Sequence, residues 1–244
     1  LVQARVPLSM VRVSNAEETR TQLTLAGHER LVAALERYLA LRGQPRGRKC
    51  MLTFGITGDK AHCRHALGEA RRAIRAAGGV TTGRALGRKW EEARFRSPYL
   101  RHGLWERGYA VDTLETCVDW GRVPQTVAAI EQAIRDHAGD GETAHVFTHL
   151  SHLYAQGSSI YTTYVFRCSS DYEGTRQRWW AMKRAASDAI VANGGTISHQ
   201  HGVGRDHAPW LVHEKGERGL VALRDLVTHF DPQGRLNPGC LLED

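Results

Sequence analysis

Cysteine is sparse and scattered: Cys50, Cys63, Cys117, Cys168 and Cys240 are odd in number and never stand at C-x-x-C spacing. Zinc ribbons and disulfide frameworks need paired or clustered thiols, so neither is supported, and a reduced, cytoplasmic setting is expected. No run of about 18 apolar residues occurs, which excludes a hydrophobic membrane-spanning helix. Lysine is rare too, and the formal charge of +7 is carried almost entirely by arginine. The densest basic cluster is Arg84, Arg88, Lys89, Arg94, Arg96 and Arg101, interrupted by Glu91 and Glu92. It comes without a helix-turn-helix, zinc-finger or RNA-binding signature, so a solvated face is expected and nucleic acid is not an expected partner. Anionic lipid or an anionic small substrate remains. A glycine-rich segment able to cradle a pyrophosphate is also missing, because Gly202-Val203-Gly204 is not completed to G-x-G-x-x-G. The first residues, Leu1 to Pro7, lack a starter Met and do not read as a signal peptide. The chain is expected to begin in the middle of a longer protein.

What is present suffices for a packed core. The chain has 244 residues, 41% of them hydrophobic, enough for one domain or for a large and a small lobe. Strands are expected at Met10–Val13, Met51–Ile56, Val80–Thr82, Tyr109–Cys117, His145–Leu153, Ile160–Cys168 and Thr196–Ser198. Helices are expected over Gly27–Arg42, Ala61–Ala77, Val123–His137, Glu173–Ala192 and Glu217–Phe230, with Trp179, Met182, Ala186 and Ile190 on one side of the fourth. Residues 83–108, with Trp90, Pro98 and Trp105, read as a long irregular stretch. Strands and helices alternate twice over. That suggests an α+β fold of two β-α-β-type units, ferredoxin-like, with a mainly antiparallel sheet covered by helices on one face.

The chemistry concentrates near the end. Ser198-His199-Gln200-His201-Gly202-Val203-Gly204 puts two imidazoles next to a flexible glycine turn, where backbone can approach a ligand closely. On an extended stretch, His199 and His201 would share one face and Gln200 the other. Upstream stand His152-Leu153-Tyr154 and Gly157-Ser158-Ser159-Ile160-Tyr161. Taken alone, Tyr161 is an ordinary strand packing residue, Arg12 and Arg101 are solvated arginines, and Asn237 is turn chemistry in Leu236-Asn237-Pro238-Gly239.

In order, Ser9–Asn15, Tyr99-Leu100-Arg101, Leu114-Glu115-Thr116 with Trp120, the 152–161 segment, Ala192–Gly204 and the Asp231-Pro232 to Asn237 tail form one pattern. It resembles the alkyldihydroxyacetonephosphate synthase branch of the vanillyl-alcohol-oxidase superfamily of FAD proteins. The resemblance implies that residues 1–195 are a substrate-binding cap. Residues 196–244 would be an active-site histidine loop and a tail that docks on an N-terminal FAD-binding domain outside this chain. It implies FAD as cofactor, contacted by His201 and Asn237. Tyr161 would be the proton acceptor and donor, with His199, His201 and Arg12 also catalytic and Arg101 binding substrate. The implied reaction exchanges the acyl chain of acyl-dihydroxyacetone phosphate for an alkyl chain through a flavin N5 adduct.

A phenol can carry a proton if a neighbouring positive charge lowers its pKa from about 10, and Arg12 or the histidine loop could supply that charge. The branch has three consecutive histidines where Gln200 interrupts two. Glutamine keeps hydrogen bonding but cannot shuttle protons. The 2-hydroxy acid dehydrogenases of the same superfamily hold a metal with a histidine pair and an acidic residue. Here Tyr161 and Gln200 stand in two of those places, so no metal is expected. Three readings stay open: the synthase-like enzyme, an FAD-linked oxidase or dehydrogenase of a hydroxylated, 2-hydroxy-acid-like substrate, and a basic binding module with idle motifs. Peripheral association with the membrane and a homodimer are also left open.

Overall fold

The computed structural model of the protein describes residues 1–44, 47–95 and 99–242. Arg96 and Pro98 therefore lie outside the described residues. The elements run β1 (Met10–Ser14), α1 (Ala16–Leu25), α2 (Glu29–Leu41), β2 (Met51–Gly55), α3 (Lys60–Ala76), α4 (Ala85–Ala93), α5 (Leu100–Trp105), β3 (Tyr109–Asp119) and α6 (Val123–Asp136). They continue with β4 (His145–Leu150), β5 (Gly157–Arg167), α7 (Tyr172–Ala192) and α8 (Leu211–Phe230). The fold is mixed α/β, and the five strands form one sheet ordered β2-β1-β4-β5-β3. Among the described residues no helix is long and apolar enough to cross a membrane.

By its own packing the chain divides into two compact units: residues 1–111 with 147–158, and residues 112–146 with 159–244. The histidine loop, where the expected tail region begins at 196, is bonded into the second unit. In the first unit β1 pairs antiparallel with β2, Met10 opposite Gly55 and Ser14 opposite Met51. On its other side β1 meets β4, Val13 opposite Leu150 and Ser14 opposite His149. Asn15 starts a helix: its side chain accepts the Glu18 N–H at 2.9 Å. A helix N-terminus has unpaired N–H groups, and Asn is among the best residues to satisfy one. Asp59 caps α3 and Asp171 caps α7 in the same way.

In the second unit α6 packs against α7. Met182, Ala186 and Ile190 of α7 are fully buried at helical spacing, as are Ile130 and Ile134 of α6. Burying Met182 or one of these isoleucines contributes about 1.5–3 kcal/mol by taking the side chain out of water. Leu114 and Thr116 of β3 and Ile160 and Tyr164 of β5 complete this core.

Several expected elements differ. The stretch 83–108 holds two helices, α4 and α5. Val80–Thr82 and Thr196–Ser198 form no strand. The second unit of alternation carries three strands rather than two, so the duplication is not symmetric. The last helix starts earlier than expected, at Leu211, but Gly216 interrupts it with φ 68° and ψ 165°. Glycine alone takes that conformation without a steric cost, so the uninterrupted helix begins at Glu217, where the periodicity placed it.

Candidate functional site

The histidine loop belongs to the second unit because β3 holds it. The Thr196 N–H donates to Cys117 O at 3.3 Å and the His199 N–H to Glu115 O at 2.9 Å. Thr116 Oγ1 donates to Thr196 O at 2.7 Å. This approach needs Gly195, where a Cβ would run into Thr116 Oγ1. From the other side Glu214 of α8 accepts from Thr196 Oγ1 at 2.8 Å and from the Ile197 N–H at 3.1 Å. Ser198 Oγ closes the loop on Gly202 O at 2.7 Å.

The extended stretch expected across the two histidines is a turn. Gln200 takes φ 60°, in the left-handed region. Both imidazoles still converge, on Glu115. Its Oε1 lies 3.2 Å from His199 Nδ1 and its Oε2 lies 3.3 Å from His201 Nε2. Glu115 is 3% exposed, in the middle of β3 between buried Leu114 and Thr116. Tyr161 of β5 meets the His201 ring edge-to-face, with centroids 5.2 Å apart and planes at 81°. Three residues named from sequence, Tyr161, His199 and His201, are thus brought together around a carboxylate that was not named.

Glu115 also removes one ground for expecting no metal. The carboxylate absent at Gln200 is supplied by β3. The signals in the sequence were its place in the family pattern as Leu114-Glu115-Thr116 and an acidic residue inside a strand whose neighbours are Leu114, Thr116 and Val118.

Arg12 belongs to the other unit, where β1 sets it against α1 and β4. Its Nη2 donates to Glu18 Oε1 at 2.6 Å and lies 3.0 Å from His149 Nδ1. His149 Nδ1 is itself 3.0 Å from Glu18 Oε1. Burial pushes the Glu18 carboxyl up, but the hydrogen bond and charge of His149, with the charge of Arg12, hold it below the usual carboxylate range. Arg12 Nε and Glu18 Oε2 have no hydrogen-bond partner among the described residues. The Arg12 charge is therefore answered by Glu18. Within the second unit the histidine loop is the neighbour of Tyr161. Arg101 lies exposed on α5. Asn237 is exposed in a turn with φ 51°. Its segment is clipped to the residues just after the histidine loop: Arg205 Nη2 donates to Pro238 O at 2.7 Å, and the Leu241 N–H to Gly204 O at 2.9 Å.

Behind the loop lies a buried polar network that sequence reasoning missed. Asp112 Oδ2 accepts from Trp179 Nε1 at 2.7 Å, Tyr164 Oη at 2.9 Å and Lys183 Nζ at 3.1 Å. His207 is buried beside it, its Nδ1 without a hydrogen-bond partner among the described residues. Burial, then the Lys183 charge, lower His207 to about 4. Its folded pKa is below the unfolded value near 6.5, so the neutral ring stabilises the fold fully above that value. The stabilisation is lost as pH falls from 6.5 towards 4. Acid should therefore cost roughly 1–3 kcal/mol across this window, and His207→Gln should flatten that part of the profile. Urea unfolding of both proteins from pH 7 to pH 4 checks it; parallel profiles would refute the assignment.

As for the flavin, the described residues offer proton-carrying side chains but no cradle for its phosphates. Of the two short strand-to-helix entries in the first unit, the one before α1 has a helix N–H taken by the Asn15 side chain, and Gly55-Ile56-Thr57-Gly58 before α3 has one taken by Asp59. Negative charge already sits where a phosphate would bind.

Comparison with known proteins agrees with this geometry. The family described as FAD linked oxidases, C-terminal domain, matches residues 1–241. Alkyldihydroxyacetonephosphate synthase of Trypanosoma brucei brucei is 25% identical over 239 residues, covering 95% of this chain and 39% of that protein. A glycolate oxidase subunit of Bacillus subtilis (strain 168) is 46% identical over 52 residues, 21% of this chain and 11% of its own. A solved structure of alkyldihydroxyacetonephosphate synthase superposes with TM-score 0.69 at 22% identity, covering 96% of this chain and 40% of that one. The chain thus spans about two fifths of the length of the synthases it matches. With the family pattern running through nearly every described element, the chain belongs to the FAD-linked oxidases as their C-terminal domain.

Proposed function

We propose that this chain is the substrate-binding part of an FAD-dependent enzyme of the alkyldihydroxyacetonephosphate synthase type. The observation that carries the proposal is the convergence of Tyr161, His199 and His201 around Glu115. Removal of a proton next to a carbonyl requires a positioned base, and this cluster offers three proton-carrying groups. In this reading Tyr161 takes and returns that proton at its phenol oxygen, and His201, packed edge-to-face against its ring, holds that ring in place. Arg101 holds the anionic part of the substrate, since a guanidinium fork matches phosphate. Arg12, fixed by Glu18 and His149, presents its remaining N–H groups in a constant direction.

FAD, when bound, supplies the electrophilic, redox-active ring. His201 and Asn237 are the residues of this chain that would contact it. An FAD-binding domain of the same protein would hold the dinucleotide, because the strand-to-helix entry before α3 is closed by Asp59. A lipid-like substrate would put the enzyme to work in the cytoplasm at the membrane surface.

A second reading is favoured by one observation, the 46% identity to a glycolate oxidase subunit over 52 residues. It makes the chain part of an FAD-linked oxidase or dehydrogenase of a hydroxylated substrate. Anaerobic mixing of the FAD-loaded, complete protein separates the two. With acyl-dihydroxyacetone phosphate and a long-chain alcohol, the synthase type forms alkyl product without an electron acceptor, and the flavin ends each cycle oxidised. Stoichiometric bleaching of the flavin by a 2-hydroxy acid, with no alkyl product from the first mixture, would establish the second reading instead.

A further inference from the structure

We propose that Glu115 is a positioning residue that sets the tautomer and orientation of both His199 and His201, a role that rests on the catalytic reading of those histidines. The carboxylate divides itself between them, Oε1 at 3.2 Å from His199 Nδ1 and Oε2 at 3.3 Å from His201 Nε2. A carboxylate oxygen at this distance repels a nitrogen lone pair and attracts an N–H even where the two are not aligned as a hydrogen bond, so it favours one tautomer of each neutral ring. His199 then carries its proton on Nδ1 and leaves Nε2 as acceptor. His201 carries its proton on Nε2 and leaves Nδ1. The two rings are held as opposite tautomers by one side chain.

The placement is costly unless it is used. A carboxylate inside a strand and shielded from water is harder to bury than an apolar residue of similar size. Glu115 nevertheless sits between Leu114 and Thr116, both fully buried, which pin the β3 backbone. The same residue tethers the loop through its main chain, accepting the His199 N–H at 2.9 Å. Backbone and side chain of one residue thus fix both where the loop lies and which ring nitrogens are protonated. Outer carboxylates that orient a histidine act in this way: the imidazole does the chemistry, and the carboxylate decides which nitrogen is ready for it.

The test uses the complete protein with ¹⁵N-labelled histidine and long-range ¹H–¹⁵N correlation spectra, the rings assigned from His199→Gln and His201→Gln. Wild type should show the Nδ1–H tautomer at His199 and the Nε2–H tautomer at His201. Glu115→Gln keeps the volume but offers one acceptor and one donor, so it cannot serve both rings alike. At least one ring should change tautomer, with kcat lowered roughly 10–100-fold and KM within about twofold. Glu115→Asp, which keeps both oxygens on a shorter stem, should retain both tautomers and recover part of the rate. The wild-type spectrum and Glu115→Asp decide the matter if Glu115→Gln does not fold. The opposite tautomer at either ring in wild type, unchanged tautomers in Glu115→Gln, or wild-type turnover despite altered tautomers would each overturn the proposal. Because the tautomers are read without substrate, failure of the exchange assay would count against the proposed reaction and leave this result standing.

Discussion

Tyr161→Phe should lower the turnover of the complete enzyme by roughly a hundredfold or more, the range that loss of a general acid–base group produces. The ring stays, and with it the edge-to-face contact with His201 at 5.2 Å. The neighbouring strand positions Ile160 and Thr162 are buried whatever occupies 161, so β5 keeps its packing. Stability should therefore change by no more than about 1 kcal/mol, the net worth of one hydroxyl's hydrogen bonding. The effect should fall on kcat, because the proton moves only in the transition state, while KM stays close to wild type. Steady-state kinetics beside a thermal unfolding curve read both quantities. Wild-type turnover in the variant would show that Tyr161 is packing and nothing more. A rate loss matched by a large loss of stability would place its role in the fold.

The largest effect on stability should come from Asp112→Ala. One oxygen of Asp112 accepts three donors, from Trp179, Tyr164 and Lys183. Lys183 also donates to Thr113 O at 3.2 Å, but that carbonyl carries no net charge to answer the ammonium. Lys183 is 3% exposed, so removing the carboxylate leaves a buried cation without its counter-charge. Breaking such a pair costs about 3–5 kcal/mol, and Asp112, partly open to solvent, puts the expectation at the lower end. The pairing has a pH signature. Burial pushes the Asp112 carboxyl up, but the Lys183 charge and the Trp179 hydrogen bond more than offset it and hold it below its ordinary value. Its contribution is complete above the unfolded carboxyl pKa near 4 and is lost as pH falls through the lower folded value. Replacing both partners, Asp112→Leu with Lys183→Met, should recover much of the loss, since no uncompensated charge remains. Chemical denaturation at pH 7 measures all three proteins. A loss below about 1 kcal/mol in Asp112→Ala would mean that Lys183 finds other compensation.

Much of this protein was legible where the physics is local. The 3.6-residue repeat of Met182, Ala186 and Ile190 placed α7, and those side chains are buried together. Alternating β-branched and aromatic residues placed β3 and β5. Gly43, Gly78 and Gly194, at positive φ just past the ends of α2, α3 and α7, take a conformation that is cheap only for glycine. The histidine loop and Tyr161 could be named because their order and spacing carry a family pattern, which survives in sequence whatever the local geometry. Where local signals are ambiguous the reading failed. Asn15 suits a turn and a helix cap equally well, and only the Glu18 N–H above it decides for α1. Thr196–Ser198 has the composition of a strand, yet the left-handed Gln200 that follows soon after turns the chain away from a continuing ladder along β3.

The sequence by itself determined most of the longer elements and the family, since each is written in a short window or an ordered motif. Tertiary structure alone decided what surrounds them. Nothing near Glu115 in the chain says that its carboxylate meets two imidazoles from far downstream. Nothing near Arg12 says that Glu18 and His149 answer its charge. Such pairings depend on which strand lies beside which loop, and burial is what gives them weight. In water a carboxylate and an imidazole at 3.3 Å would matter little, whereas on β3, where Glu115 is only 3% exposed, the same distance governs which nitrogen holds the proton.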